Sequence, residues 1–257
     1  MDITQDNYAD VNARAIDGWN AAGWEWGTPI THEEYERARG GDWQMLLTPT
    51  KPVPPEWYPV DMSGLRVLGL ASGGGQQMPI FSALGATCTV LDYTPSQLES
   101  DRMVAEREGY EIELVRGDMS RPLPFEDESF DLIFHPVSNC YIQDVKPLWR
   151  ECHRILKPGG RLLAGLDNGF GYVFDYPAEE RAIYSLPFNP LRNPDHMAAL
   201  DPVEDGILFS HTLEEQIRGQ LQAGFQLIDC YEDTSGKGRL HDLNIPVFWA
   251  TYAVKSR

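Results

Sequence analysis

From residue 65 onward, the chain alternates between short apolar runs and longer stretches with helical periodicity. Five runs have the length and the content of leucine and β-branched residues that are typical of buried strands, and they cover residues 66–70, 87–91, 111–116, 131–134 and 161–166. Residues 225–231 and 247–254 predict two last strands that could pair as an antiparallel hairpin. The pattern predicts an α/β fold with a doubly wound, mainly parallel seven-stranded sheet.

The segments between the strands carry helix start and stop signals. A helix to about residue 84 follows the first strand, and Thr94–Gln97 has the spacing of a capping box with proline at the first helical position. A helix from residue 144 to about 156 carries one apolar stripe, and Thr212–Glu215 is a second capping box. Strands and helices therefore alternate, as a parallel sheet requires.

The first 60 residues have a different character. They contain five of the seven tryptophans, namely Trp19, Trp24, Trp26, Trp43 and Trp57. The proline-dense run at 48–55 cannot be a helix interior or a central strand. We expect short helices near 7–21 and 32–40, followed by an extended connector.

These patterns divide the chain into an N-terminal extension at 1–60 and a main domain at 61–257. Within the main domain, the irregular segment 169–207 is rich in proline and aromatic residues and is interpreted as an insertion on the substrate side. The extension and the insertion are both aromatic, so they could close over a small molecule. Ordinary packing against the sheet is the alternative.

Charge and cysteine content narrow the classes of partner. The chain has 21 Lys and Arg against 39 Asp and Glu, a net charge of −18, which disfavours nucleic acid and anionic membrane surfaces. No apolar run approaches the length of a membrane span, and the first ten residues hold three aspartates rather than a signal peptide. Four cysteines match no zinc spacing. We expect a cytoplasmic protein with reduced thiols, no metal site and no membrane partner.

A glycine-rich turn and an acid carry the first chemical signal. The turn at 71–77 follows a strand and opens a helix, so its backbone can approach a ligand closely. Asp92 ends the second strand, where a carboxylate can accept both ribose hydroxyls of a nucleoside. Met78 stands where a nicotinamide fingerprint would have glycine. The pair favours an adenosine-containing ligand but leaves its identity open.

Five segments, in this order, carry a resemblance to a known family. They are residues 67–75, Asp92, residues 117–119, residues 125–134 and residues 156–163. On these residues the chain resembles a bacterial subgroup of the class I S-adenosylmethionine-dependent methyltransferases, over about residues 65–166. The first motif departs from the family pattern, because Gly69 stands where an acid is usual and Ala71 stands where a glycine is usual.

The resemblance implies a Rossmann-like methyltransferase fold with S-adenosylmethionine as cofactor. It implies that the methionyl carboxylate faces N–H groups near residues 73–77, the ribose lies at Asp92, and the adenine lies between Asp118 and Met119. The expected cofactor-binding residues are Ala71, Ser72, Gly73, Gly75, Gln76, Gln77, Asp92, Tyr93, Gln97, Asp118, Met119, His135, Pro136 and Asn139.

His135 is the candidate catalytic base, because it follows the fourth strand and titrates near neutral pH. A histidine that is only hydrogen-bonded locally is the alternative. Residues 135–138 lack the Pro-Pro-aromatic motif of methyltransferases that act on nucleic-acid amino groups. The resemblance therefore implies a small-molecule acceptor and no nucleic acid.

Three functions remain open at this stage. The first is a methyltransferase for a small molecule, and the second is a protein that binds S-adenosylmethionine without transferring its methyl group. The third is a nicotinamide-dependent oxidoreductase, which shares the glycine turn and the acid. Neither the acceptor atom nor the oligomeric state is predicted by the sequence.

Overall fold

The computed structural model describes residues 2–256 and centres on a seven-stranded sheet. The strands are β1 (Arg66–Leu70), β2 (Thr87–Asp92), β3 (Ile112–Arg116), β4 (Phe130–His135), β5 (Leu156–Asp167), β6 (Phe225–Asp233) and β7 (Phe248–Lys255). They lie side by side in the order β3-β2-β1-β4-β5-β7-β6.

Helices cover both faces of this sheet and one of its edges. They are α1 (Tyr8–Ala21), α2 (His32–Arg39), α3 (Gln77–Ala83), α4 (Pro95–Glu108), α5 (Lys146–Ile155), α6 (Pro194–Ala198), α7 (Gly219–Ala223) and α8 (Gly238–Asp242). A π-helical turn, Glu214–Arg218, leads directly into α7. The first two helices confirm those expected in the N-terminal extension.

The sheet topology confirms the predicted doubly wound architecture. Strands β1 to β5 are parallel, and β7 runs antiparallel to both β5 and β6. The chain moves outward from β1 to β2 and β3, then returns to β4 on the other side of β1. The carboxyl ends of β1 and β4 therefore border the point where the winding reverses, which is where ligands bind in such sheets.

The core has one layer on each face of the sheet. Leu68 and Leu70 of β1 pack in the cluster that includes α5, and Val67 packs in the cluster that includes α3 and the extension. Alternate residues of a strand point to opposite faces, so β1 is buried on both sides. This explains why its sequence is continuously apolar.

Two local predictions need correction. Strand β5 begins at Leu156 rather than 161, because Leu156 pairs with Phe130 across a bulge in the β4–β5 ladder. The Thr94 side chain does not cap α4; its backbone N–H donates to Asp92 instead. The second capping box does form, with reciprocal bonds between Thr212 and Glu215.

Two predictions made from composition concern the cysteines and membrane spans. The structure has all four cysteines free. Within residues 2–256, no helix has both the length and the apolar character that crossing a membrane requires.

The extension is anchored to the main domain by a buried tryptophan. The ring of Trp57 is fully buried, and its Nε1 donates to Asp229 Oδ2 at 2.9 Å. It also packs against Tyr231 and Tyr252 on the two C-terminal strands. The end of the extension is therefore part of the core, while the domain boundary at residue 60 stays a prediction.

Trp57→Ala is expected to lower the free energy of unfolding by about 3–5 kcal/mol, because it empties a fully buried site. Chemical denaturation followed by circular dichroism measures the change. Val60→Ala, at a fully exposed side chain, is the control and should change stability by less than about 0.5 kcal/mol. A similarly small loss in Trp57→Ala would contradict the anchoring role.

Candidate functional site

One cavity of about 610 Å³ lies at the carboxyl ends of the parallel strands. Its floor is formed by the glycine turn after β1, the end of β2, the loop after β3 and the turn after β4. Its roof is formed by α1, Trp24 and Trp26 of the extension, and the insertion closes a third side. Its volume is in the usual range for small-molecule sites.

The glycine turn is fixed against the end of β2 by a close backbone approach. The N–H of Gly73 donates to Asp92 Oδ2 at 3.1 Å. A Cβ at residue 73 would lie 2.6 Å from the Cβ of Gln97 and 3.0 Å from Asp92 Oδ2. Only glycine therefore allows the turn, the acid and α4 to meet at this point.

Asp92 is a buried acid that lines the cavity. Its Oδ1 accepts from the Thr94 N–H at 2.9 Å, and burial raises its pKa despite these bonds. The neighbouring Gln97 Oε1 is buried without a hydrogen-bond partner in the described chain. The two side chains leave acceptor atoms for hydroxyl groups, which is the role expected of a ribose-binding acid.

Eleven of the fourteen residues predicted to bind cofactor line this cavity. They are Ala71, Ser72, Gly73, Gln76, Gln77, Asp92, Tyr93, Gln97, Asp118, Met119 and Pro136. Gly75, His135 and Asn139 do not line it. For the eleven residues that line the cavity, the role of cofactor ligand stays a prediction. The other three residues lie in different surroundings.

Gly75 faces away from the cavity, toward the extension. Its carbonyl accepts from the Ile30 N–H at 3.0 Å, and a Cβ at this residue would lie 2.9 Å from the Ser100 carbonyl oxygen. Two N–H groups of the turn are also engaged already, because Gly73 donates to Asp92 and Gly74 donates to the Gln97 carbonyl. A methionyl carboxylate would have to use other donors than these.

His135 is fully buried, and its position does not fit a general base. Nδ1 lies 2.8 Å from the Leu70 carbonyl oxygen, and Nε2 lies 2.7 Å from Asn139 Oδ1. Burial also lowers its pKa. A neutral ring that donates to Leu70 needs the Asn139 amide turned so that its NH₂ group faces Nε2. In either arrangement both ring nitrogens are occupied, so His135 cannot take a proton from an acceptor.

The His135 contacts continue as a buried polar network. Asn139 also bonds Gln216 at 3.0 Å, and Gln216 reaches the Asp167 carbonyl oxygen at 3.5 Å. Gln216 lies in the π-helical turn, a distortion that is frequent at functional sites. The network links the end of β1 to the end of β5, so His135 and Asn139 position the floor of the cavity.

The extension crosses the cavity and is hydrogen-bonded on both sides. On the cofactor side, Asp10 accepts from the Tyr93 hydroxyl at 2.7 Å, and Asp17 accepts from the Ser96 N–H at 3.1 Å. On the other side, Asn12 bonds both backbone groups of Ile207 at 2.6 and 3.0 Å. These contacts hold the extension across the cavity, and its role as a lid stays a prediction.

Sequence reasoning did not identify individual residues on the far side of the cavity. The insertion contributes aromatic side chains, and the end of β5 contributes Asp167, which is buried. The signal for Asp167 was present, since it ends a parallel strand as Asp92 does. Across the described residues, the lining contains no lysine, arginine or histidine.

One group in residues 2–256 combines three metal-binding side chains, His32, Glu36 and Glu108. It lies outside the cavity, and His32 Nδ1 contacts Glu108 Oε2 at 2.8 Å. Glu108 raises the pKa of His32, which is the behaviour of an ion pair between the extension and α4. The ion pair between His32 and Glu108 is sufficient to explain why these three side chains lie close together.

Comparison with known proteins identifies the family. A family model described as a methyltransferase domain matches residues 68–164. The protein named Uncharacterized methyltransferase YbaJ, from Bacillus subtilis (strain 168), is 41% identical over 250 residues, which cover 95% of this chain and 97% of that protein. The chain belongs to the class I S-adenosylmethionine-dependent methyltransferases.

One further relative supports this methyltransferase assignment, and a solved structure shares the fold. The Ubiquinone/menaquinone biosynthesis C-methyltransferase UbiE of Klebsiella pneumoniae subsp. pneumoniae is 31% identical over 201 residues, covering 72% of this chain and 77% of that protein. A crystal structure of an S-adenosylmethionine-dependent methyltransferase from Mesorhizobium loti has the same fold. Its TM-score is 0.60 at 21% identity, covering 77% of this chain and 94% of that one.

The residues of this methyltransferase fit its cofactor in charge as well as in hydrogen bonding. Asp92 and Asp118 line the cavity without a basic side chain among the described lining residues, which suits a ligand with a sulfonium and an ammonium group. Trp24 and Trp26 also line the cavity, and aromatic faces attract cations. Asp92 and Gln97 would hold hydroxyl groups, and S-adenosylmethionine would supply an electrophilic methyl group.

The unusual Gly69 has a steric explanation. A Cβ at this residue would lie 3.0 Å from Cγ and Sδ of Met78, which is itself fully buried beneath the turn. A side chain at 69 would therefore require the Met78 side chain to shift. Gly69 instead allows β1 and α3 to pack closely at this point.

Asn12→Ala is expected to loosen the extension, because it leaves the buried backbone groups of Ile207 without partners, a loss of about 1–3 kcal/mol. Limited trypsin digestion should then cut at the exposed Arg14 at least about fivefold faster than in the wild type, since that loss of closure raises the open population. In Gln5→Ala, which changes an exposed residue of the same segment, trypsin should cut at the wild-type rate. Equal rates in Asn12→Ala would show that Asn12 does not hold the lid.

Asp101 lies beneath the glycine turn, and burial raises its pKa to about 8; Asp92, Cys88 and Tyr110 also face this region. The pKa of Asp101 is higher in the folded state than in the unfolded state, so the folded protein keeps this proton up to a higher pH. The free energy of unfolding therefore falls as pH rises from about 5 to 8. Asp101→Asn should reduce that fall by about 1 kcal/mol or more. Urea unfolding between about pH 5 and 8 measures this dependence of stability on pH. Asp195→Asn, which changes an exposed residue, is the control. An unchanged slope would contradict a buried, protonated carboxyl.

Proposed function

We propose that this protein transfers the methyl group of S-adenosylmethionine to a small-molecule acceptor held beneath the N-terminal extension. The observation that carries the proposal is the contact between Asp92 and Gly73 on the floor of a cavity roofed by α1 and Trp24. The floor has the acceptor atoms for the cofactor, and the roof leaves room for a second small molecule.

The enclosure supports a small acceptor over a macromolecule. Asn12 and Ile207 bond across the roof, so a protein or nucleic-acid chain would have to displace that contact to reach the floor. The net charge of −18 disfavours nucleic acid further. The relative named for quinone biosynthesis acts, by its name, on a small-molecule pathway, which agrees with this choice.

The cavity also argues against a nicotinamide dinucleotide. A dinucleotide carries a pyrophosphate, and such groups are held by free N–H groups or basic side chains. Gly73 and Gly74 use their N–H groups internally, and no basic side chain lines the cavity in residues 2–256. A protein that binds the cofactor without transfer remains the second candidate, and a methylated product would exclude it. The cytoplasmic location expected from the sequence stays a prediction.

Methyl transfer requires the acceptor, the methyl carbon and the sulfur to be aligned in a dry site. The protein supplies this by its roof and by the polar network that fixes the floor, rather than by His135. Transfer to a pool of small aromatic acceptors from S-adenosylmethionine labelled in the methyl group tests the activity. Labelled product in wild type is expected, and its absence across the pool would favour the second candidate.

Asp92→Ala is expected to weaken the binding of S-adenosylmethionine about 10- to 100-fold, because hydrogen bonds to a charged group contribute about 1.5–3 kcal/mol. Isothermal titration calorimetry measures the dissociation constant. Asp92→Asn keeps an acceptor oxygen for the Gly73 N–H and should lose less affinity for S-adenosylmethionine. The comparison separates a lost contact with the cofactor from a disturbed turn. Asp127→Asn, at an exposed acid paired with Arg154 away from the cavity, is the charge-matched control. Wild-type affinity in Asp92→Ala would place the cofactor elsewhere.

A further inference from the structure

The side of the cavity beneath the insertion is lined by apolar and aromatic side chains. We call it the acceptor chamber, and its lining includes Tyr172, Phe174, Tyr184, Phe188, Leu240 and Phe248. Tyr172 stacks on Phe188 at 5.3 Å, and Tyr184 contacts the same ring edge-on at 5.8 Å. A wall of this kind suits a flat, apolar ring system.

The charges around this chamber select against an anionic occupant. Asp167, Glu179 and Asp205 line the cavity, and no lysine, arginine or histidine of the described chain joins them. A carboxylate or phosphate on the acceptor would lose its water without gaining a cationic partner. The chamber therefore fits an uncharged acceptor.

Asp167 is the one acid of this group at the end of a parallel strand. Its side chain is 6% exposed and lines the cavity. Oδ1 accepts from the Gly169 N–H, and the hydroxyl of Tyr172 is the side-chain donor that faces the carboxyl group. Oδ2 forms no closer hydrogen bond within the described residues, so it has the capacity to accept from a ligand hydroxyl in the cavity.

The surroundings of Asp167 allow its carboxyl group to exchange a proton near neutral pH. The titratable groups facing it are the thiol of Cys140 and the hydroxyl of Tyr172, and burial raises the pKa of both. Burial likewise raises the pKa of Asp167 to about 7. Neither neighbour carries a charge at this pH, so Asp167 is the group that titrates.

We propose that the acceptor is an uncharged compound of the phenol class and that Asp167 Oδ2 takes the proton of its hydroxyl. The inference rests on the proposed function. In the transfer step the acceptor oxygen forms a bond to the methyl carbon, the carbon–sulfur bond breaks, and sulfur keeps the bonding pair. The hydroxyl proton passes to Asp167 and then to solvent.

A phenol matches this base better than an aliphatic alcohol does. The ordinary pKa of a phenolic hydroxyl is about 10, so a base that titrates near 7 can share its proton in the transition state. The acceptor hydroxyl can donate to Oδ2 beside Tyr172, and its ring can pack against the aromatic side chains of the chamber. Charge, shape and hydrogen bonding thus point to the same class.

The experiment compares two probes that share one ring system, the uncharged 2-naphthol and the anionic 2-naphthoate. Calorimetry with S-adenosylhomocysteine present should show 2-naphthol binding at least tenfold more tightly than 2-naphthoate. Transfer from methyl-labelled S-adenosylmethionine is then measured over a panel of uncharged phenols that includes 2-naphthol. Product with at least one member is expected.

Asp167→Asn tests the base directly. It should lower kcat about 100-fold or more, the usual size of a general-base effect, while leaving the affinity for S-adenosylmethionine within twofold. The wild-type kcat/KM should rise with pH up to about 7, and this dependence should vanish in the variant. Asp195→Asn, which removes an exposed acid from the same insertion, should behave as wild type.

The outcomes separate this inference from the proposed function. A wild-type protein that binds S-adenosylmethionine but methylates no phenol, or that binds 2-naphthoate as tightly as 2-naphthol, overturns the acceptor class. Wild-type transfer rates in Asp167→Asn overturn the role of the carboxylate. A wild-type protein that does not bind S-adenosylmethionine at all overturns the proposed function itself.

Discussion

The hydrogen bond from the Gly73 N–H to Asp92 is the contact on which the site depends. It joins the turn after β1 to the end of β2, at the carboxyl edge of the parallel strands. The contact requires glycine, because any side chain at 73 would collide with Gln97 and with Asp92 itself. It also holds the carboxylate at the cavity floor, where burial raises its pKa. Backbone geometry and cofactor recognition are thus set by the same two residues.

The second constraint is enclosure. The extension adds a roof of tryptophans and a helix, and Asn12 ties this roof to the insertion across the opening. The roof narrows the access of water to the floor, and electrostatic contacts are stronger where less water is present. The interior combines acids with aromatic rings and, in residues 2–256, has no basic lining residue. A cationic cofactor beside an uncharged acceptor satisfies these charges, and an anionic ligand does not.

Much of the fold could be predicted from the sequence, because strands buried on both faces are continuously apolar and the turns between them carry glycine or caps. Residues on the cofactor side of the site could also be predicted, because Ser72 and Asp92 lie at or just after the ends of recognisable strands. His135 could not be placed in this way. Its two partners, Leu70 and Asn139, are brought together only by the tertiary structure, and they make it a buried positioning residue.

The acceptor side was harder to predict for a related reason. The insertion has no periodic pattern, so nothing in its sequence shows which aromatic residues face the cavity. Asp167 had the same signal as Asp92, an acid at a strand end, but its importance depends on burial and on the capacity of Oδ2 to accept from a ligand. Such properties arise from packing between β5, the insertion and the π-helical turn. Local sequence does not contain them.

The central claim is that one closed cavity, built from the glycine turn, Asp92 and the N-terminal extension, holds the cofactor. Hydrogen–deuterium exchange measured with and without S-adenosylhomocysteine tests it most directly. The account predicts slower exchange at residues 71–77 and 92–97 together with residues 9–26 of the roof. Protection confined to other segments, or no protection at a saturating concentration, would contradict it.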